Sequence, residues 1–246
     1  MLKRVVECGQ LKGAASGRCN LLAVGRERVV MLMFVLFAAA MGATPAHSQA
    51  DANGGCGPLA NHYGPFDYRT QRDKLQIVDR AHFTPEVEAL IRGNTSSIGG
   101  DLGYTLRTSP NHLRALIAMA RLAEKQKTPE IRDMHYSVEC YFIRAIQFAP
   151  DDVLVRIVYA QYLAKISETD AALKELQEAN FYAKDNGFSH YNVGLAYFDL
   201  KQYDNARAQA HKALQLGFNG TALADKLKSV NQWKEPVTPN SPNIAN

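Results

Sequence analysis

The sequence predicts an all-α protein in which antiparallel helix pairs stack in series into a solenoid. An irregular extension precedes the stack and a capping helix closes it. Three observations carry this expectation. Residues 153–186 and 187–220 align without a gap at a fixed offset of 34: Tyr159 and Ala160 fall on Val193 and Gly194, and Leu163 on Tyr197. Ala172 falls likewise on Ala206, Leu176 on Ala210 and Ala179 on Ala213. An internal period of that length marks stacked supersecondary units. Within each unit the apolar residues recur at i, i+3, i+4 and i+7 on one face, a stripe that a single helix pair cannot bury by itself. The turns between helices, Ser167-Glu168-Thr169-Asp170 and Lys201-Gln202-Tyr203-Asp204, are polar and short enough to join antiparallel neighbours.

Taken from the N-terminus, residues 1–50 read as a signal peptide. Val29 to Met41 is an unbroken apolar run; Arg26 and Arg28 precede it, and small, turn-forming residues follow. Cleavage is expected after Ala50, behind Ser48-Gln49-Ala50, with Ala46-His47-Ser48 as a second choice. An uncleaved anchor is the alternative, although the run is shorter than the about 20 residues of a bilayer span. The stretch before Arg26 is long for a basic head and points to a start downstream of Met1. The whole chain of 246 residues carries a formal net charge of +4. Lys3, Arg4, Lys12, Arg18, Arg26 and Arg28 against Glu7 and Glu27 place all of that excess in the leader. The remainder holds 22 charges of each sign, which leaves no basic track for a nucleic acid. Export to the periplasm or beyond is expected, with inner-membrane anchoring as the alternative. Membrane contact then occurs only through the leader, if it is uncleaved.

Residues 51–82, rich in Gly, Pro and aromatics, are expected to form an irregular extension, and the helical domain to span 83–232. Thr84-Pro85-Glu86-Val87 caps a short helix that stops near Gly93-Asn94. Tyr104 to Pro110 is the end of a degenerate half-unit. Residues 113–152 form a degenerate repeat: a first helix from Leu113 to about Lys125, Phe142 and Ala145 in its second, and a closing Pro150. Its inner loop, from Gln126 to Asp133, is longer than its counterparts by about six residues. A capping helix is expected over 222–233, since the last apolar face of a solenoid must be kept out of water. The tail, 233–246, has three prolines and no core residues, and is expected to be disordered.

The second unit, Val193-Gly194-x-x-Tyr197 followed by Ala206 and Ala213, resembles the tetratricopeptide repeat, with Ala210 where that family usually has an aromatic. Cys56-Gly57-Pro58-Leu59 and Gly64-Pro65-Phe66-Asp67-Tyr68 resemble the opening of a group of exported bacterial tetratricopeptide proteins. The resemblance implies a right-handed solenoid in which Ala160, Leu163, Ala172, Ala179, Gly194, Tyr197, Ala206 and Ala213 pack the helix pairs. It also implies a concave face, lined by first helices, that takes an extended protein or peptide segment. Projecting outward from the packing positions gives the groove candidates: Arg114, Ile117, Arg121, Ile157, Gln161, Tyr191, Asn192, Leu195 and Lys226. Some members hold a terminal carboxylate in a Lys/Asn/Arg clamp. Asn192 and Lys226 match two of its slots, whereas Ile157 stands where a basic residue belongs.

No catalytic, phosphate-binding or dinucleotide motif occurs. His62, His82, His112, His135, His190 and His211 are scattered, and none pairs with another His or a Cys at helical spacing. No metal site, cofactor or enzymatic activity is expected. Removal of the leader takes Cys8 and Cys19 with it. Cys56 and Cys140, the smallest even set, are then expected to bridge in an oxidising compartment. Arg69, Arg72 and Lys74 mixed with Asp67, Asp73 and Asp79 read as a solvated face. Tyr63, Phe66 and Tyr68 are too costly to leave exposed, so residues 56–70 are expected to dock across the early repeats, pinned by the bridge. The leading reading is an adaptor for another protein. A membrane-anchored accessory of envelope assembly or secretion is the first alternative, and an enzyme or small-ligand binder with an unrecognised site the second.

Overall fold

A computed structural model describes residues 55–236; the leader, its cleavage point and residues 237–246 of the tail lie outside these. The described residues are all-helical, with ten α-helices and no strand: α1 (Arg72–His82), α2 (Pro85–Glu88), α3 (Ile98–Thr108), α4 (Leu113–Gln126), α5 (Val138–Phe148), α6 (Val153–Lys165), α7 (Thr169–Ala183), α8 (Gly187–Asp199), α9 (Tyr203–Gln215) and α10 (Ala222–Ser229). None is long and apolar enough to cross a membrane.

The offset of 34 recurs in the backbone. α6 and α8 start at Val153 and Gly187, α7 and α9 at Thr169 and Tyr203. The turns between them match residue for residue: Ser167 and Lys201 are both left-handed, at φ 68° and 58°. Glu168 N then donates to Leu163 O as Gln202 N donates to Tyr197 O. The helix starts match as well. Asp152 caps α6 by accepting from Val155 N, and Asn186 caps α8 by accepting from Ser189 N. His112 performs the same service for α4 through its ring nitrogen, accepting from Ala115 N. An acceptor at each cap satisfies a backbone N–H that the first helical turn leaves open.

Packing follows the same period. Val138, Ala172 and Ala206 are buried at one level of α5, α7 and α9; Phe142, Leu176 and Ala210 are buried at the next, and Ala145, Ala179 and Ala213 at the third. On the facing helices Met119, Tyr159 and Val193 are buried, as are Ala123, Leu163 and Tyr197. The predicted packing positions Ala160 and Gly194 are also buried. At Gly194 the reason for a small residue is direct: a Cβ there would lie 2.4 Å from Leu223 Cδ2 and 3.0 Å from Gln209 Cβ. The most extensive pairings are α6 with α7 and α8 with α9, while α4, α6 and α8 also touch in series. α10 covers α8 and α9 with the buried Leu223 and Leu227.

Three expectations need correction. Residues 51–82 are not irregular throughout: 72–82 form α1, which buries Leu75 and Val78 and packs on α3. One helical stripe is enough once a partner covers it. The capping helix ends at Ser229 rather than 233, where Asn231 turns left-handed (φ 57°). Trp233 to Pro236 lie among the described residues, and Trp233 packs on the core; the disorder expected from 233 onward therefore does not start there. Arg207 Nη1 donates to Gln232 O, and His211 Nε2 lies 2.8 Å from Lys234 O, so the chain runs back along α9.

Cys56 and Cys140 form the expected disulfide, closing a separation of 84 residues. Residues 56–70 cross the ends of the neighbouring helices. Phe66 N donates to Thr108 O, and Tyr68 N donates to Asn111 Oδ1. Gly64, at φ 97°, lets the strap approach closely, since a Cβ there would meet Thr108 O at 2.4 Å. Arg144, one helical turn beyond Cys140 on α5, donates through Nη1 to the carbonyls of Cys56, Gly57 and Pro58 at 3.1, 3.2 and 2.6 Å. Its guanidinium lies over the Tyr136 ring.

Candidate functional site

The serial contact of α4, α6 and α8 leaves a concavity of about 940 Å³ between them. α4 contributes Ile117, Ala120, Arg121, Ala123 and Glu124; α6 contributes Val158, Ala160, Gln161, Tyr162, Ala164 and Lys165. The far side is Ala196 and Asp199 of α8 and Leu200 just after it, with Leu176 of α7 behind. Ile166 and the loop residues Lys127, Thr128 and Pro129 shape its edge. The lining is mainly apolar, and Ile117 and Ile166 remain 38% and 49% exposed. A volume of this size with a few placed polar groups is what a binding pocket requires.

The rim charges are partly used. Lys165 Nζ lies 3.0 Å from Glu124 Oε1, spanning α6 to α4, and Lys226 Nζ lies 3.9 Å from Asp199 Oδ1. Lys226 is also 5.0 Å from the centre of the Phe198 ring.

Of the groove candidates, the structure brings Ile117, Arg121 and Gln161 together in this lining. Lys226 reaches it only through Asp199. The others fall elsewhere. Arg114 is ion-paired to Glu88 of α2. Tyr191 packs against Phe218, and Asn192 Nδ2 donates to Phe188 O one turn back. Leu195 packs against the core, and Ile157 is itself a core residue. The two clamp-like residues, Asn192 and Lys226, therefore do not line one pocket. Lys127, Ile166 and Asp199 were missed because they lie at helix ends, where extrapolating a helical face stops. The position of Lys127 at the start of the elongated loop was the available signal.

No residue of the N-terminal strap is among those lining the concavity. Of the charges expected to form a solvated face, Arg69, Arg72, Asp73 and Lys74 are exposed, but Asp67 and Arg69 also make specific bonds. Asp67 accepts from the Arg69 side chain and from Asn111 Nδ2, and these bonds, Arg69's first, hold its carboxyl down to about 2. Arg69 Nη1 donates to Asp151, and Asn111 Nδ2 also donates to the buried Asp152, whose carboxyl is pushed up by burial. A second buried carboxylate, Asp101, accepts from Asn94 N, Thr95 N and Thr95 Oγ1 and pairs with His82 at 3.0 Å. Burial pushes Asp101 up, but these bonds outweigh it and its carboxyl is lowered overall. His112 is buried against Tyr68 and Phe83, with Nε2 3.2 Å from Asp79 Oδ1. Among the described residues no group of three or more His, Cys, Asp or Glu is placed to hold a metal ion.

No protein-family model, no curated protein and no solved structure matches the chain.

Proposed function

We propose that α4 to α9 are tetratricopeptide-type helix pairs capped by α10, and that the chain is an exported adaptor that takes a protein or peptide segment in the concavity between α4, α6 and α8. The single observation that carries this reading is that concavity: an apolar hollow of about 940 Å³ lined by the first helix of each successive pair. The recurrence of helix starts, turns and buried positions at a fixed spacing supports the repeat assignment. Export is supported by the disulfide, because such bonds persist in oxidising compartments. No catalytic step, cofactor or nucleic acid enters the reading.

A photoreactive residue placed at Gln161, in the middle of the α6 wall, tests it in living cells. A discrete crosslinked partner is expected, and its yield should fall when Ala164→Trp fills the hollow. Yield unchanged by Ala164→Trp, in a variant whose helical content matches the parent, would contradict groove binding. A probe at Tyr191, which packs on Phe218 outside the lining, serves as the control position.

A further inference from the structure

Charge around the concavity is unevenly neutralised. Its two acids are both occupied, Glu124 by Lys165 and Asp199 by Lys226. Arg121 and Lys127, which also line it, have no carboxylate partner among the described residues, and both are exposed. Lys127 follows the C-terminus of α4, where a cation also offsets the negative end of the helix dipole. Arg121 lies more than a turn before that end and has no such role. The floor beside them, Ile117, Ala120, Val158 and Tyr162, is apolar. A site of this composition gains from an occupant that brings apolar side chains for the floor and negative charge for the α4 wall.

Building on the groove reading above, we propose that the occupant is an apolar peptide segment carrying acidic side chains, and that Arg121 and Lys127 select for the acid. The preference is electrostatic and falls as salt rises, because exposed charges are screened within about 10 Å at 0.1 M salt. A polyanion such as a nucleic acid is a poorer fit, since two free cations beside an apolar floor give no track for successive phosphates.

Fluorescence anisotropy with amide-capped heptapeptides tests this on the oxidised full-length protein. Leu and Phe are kept constant while the intervening positions are all Glu, all Gln or all Lys. The amide cap removes the terminal carboxylate, so that only side chains are read. The Glu series should bind about tenfold tighter than the Gln series, with the Lys series weakest and the preference shrinking as salt rises. Combining Arg121→Glu with Lys127→Glu should reverse the order. Equal affinity of the Glu and Gln series would overturn acid selection while leaving the groove reading intact. Peptide binding insensitive to Ala164→Trp would overturn the groove reading itself. Failure of every series to bind would overturn both.

Discussion

Asp67, Arg69, Asn111 and Asp152 tie the N-terminal strap to the starts of α4 and α6. An acid whose folded pKa lies below its unfolded value stabilises the fold above the unfolded value and ceases to do so as pH falls through the folded one. Asp67, held to about 2 against an ordinary 3.8, therefore contributes at neutral pH and loses its contribution between pH 4 and pH 2. Asp152, raised by burial, acts in the opposite sense and becomes less unfavourable as acid is added. Chemical denaturation across that window should show the midpoint falling, and Asp67→Asn should flatten the fall; an unchanged slope would contradict the assignment. Arg144 belongs to the same scale. Its single Nη1 serves three carbonyls of the strap beside the disulfide, and hydrogen bonds to charged groups are worth about 1.5–3 kcal/mol. In a glutathione buffer, Arg144→Gln should lower the equilibrium constant for closing Cys56–Cys140 roughly tenfold. None of these roles was legible in the sequence. Asp67-x-Arg69 looks like any exposed mixed-sign pair, because the partners that use it stand more than forty positions away.

At the scale of helices much more was legible. The buried positions of α6 to α9 could be read because the two helix pairs place small residues at the same points 34 residues apart, Ala160 and Gly194 or Ala179 and Ala213. Gly194→Val puts branched methyls against Leu223 and Gln209 and should cost about 2 kcal/mol by overpacking, measurable by urea unfolding. α1 was missed because its neighbourhood is dominated by Gly, Pro and aromatics and its core stripe is narrow; the partner that makes it a helix, α3, comes later in the chain. The disulfide constrains a separation of 84 residues, which the chain-entropy account values at about 4.5 kcal/mol. Reduction should therefore lower the unfolding midpoint and speed proteolysis near Tyr63. Rapid cutting there in the oxidised protein would contradict docking of the strap.

At the largest scale, α2 to α10 share one connected core from Phe83 to Leu227 and leave a hollow on the side where α4, α6 and α8 meet. Its location was partly legible, since Arg121, Gln161 and Ile117 were drawn from helical faces alone. Its limits were not: Tyr191, Asn192 and Arg114 are turned to other uses by Phe218, Phe188 and Glu88, contacts that a helical projection cannot contain. Excess positive charge in the sequence belongs to residues 1–50, whereas the proposed acid selection rests on Arg121 and Lys127, which line the hollow. Hydrogen exchange measured with and without the partner captured at Gln161 is the most direct test that the hollow is the working surface. The account predicts new protection concentrated in α4, α6, α8 and the 127–129 loop. Protection confined to the strap or to α5, α7 and α9 would contradict it.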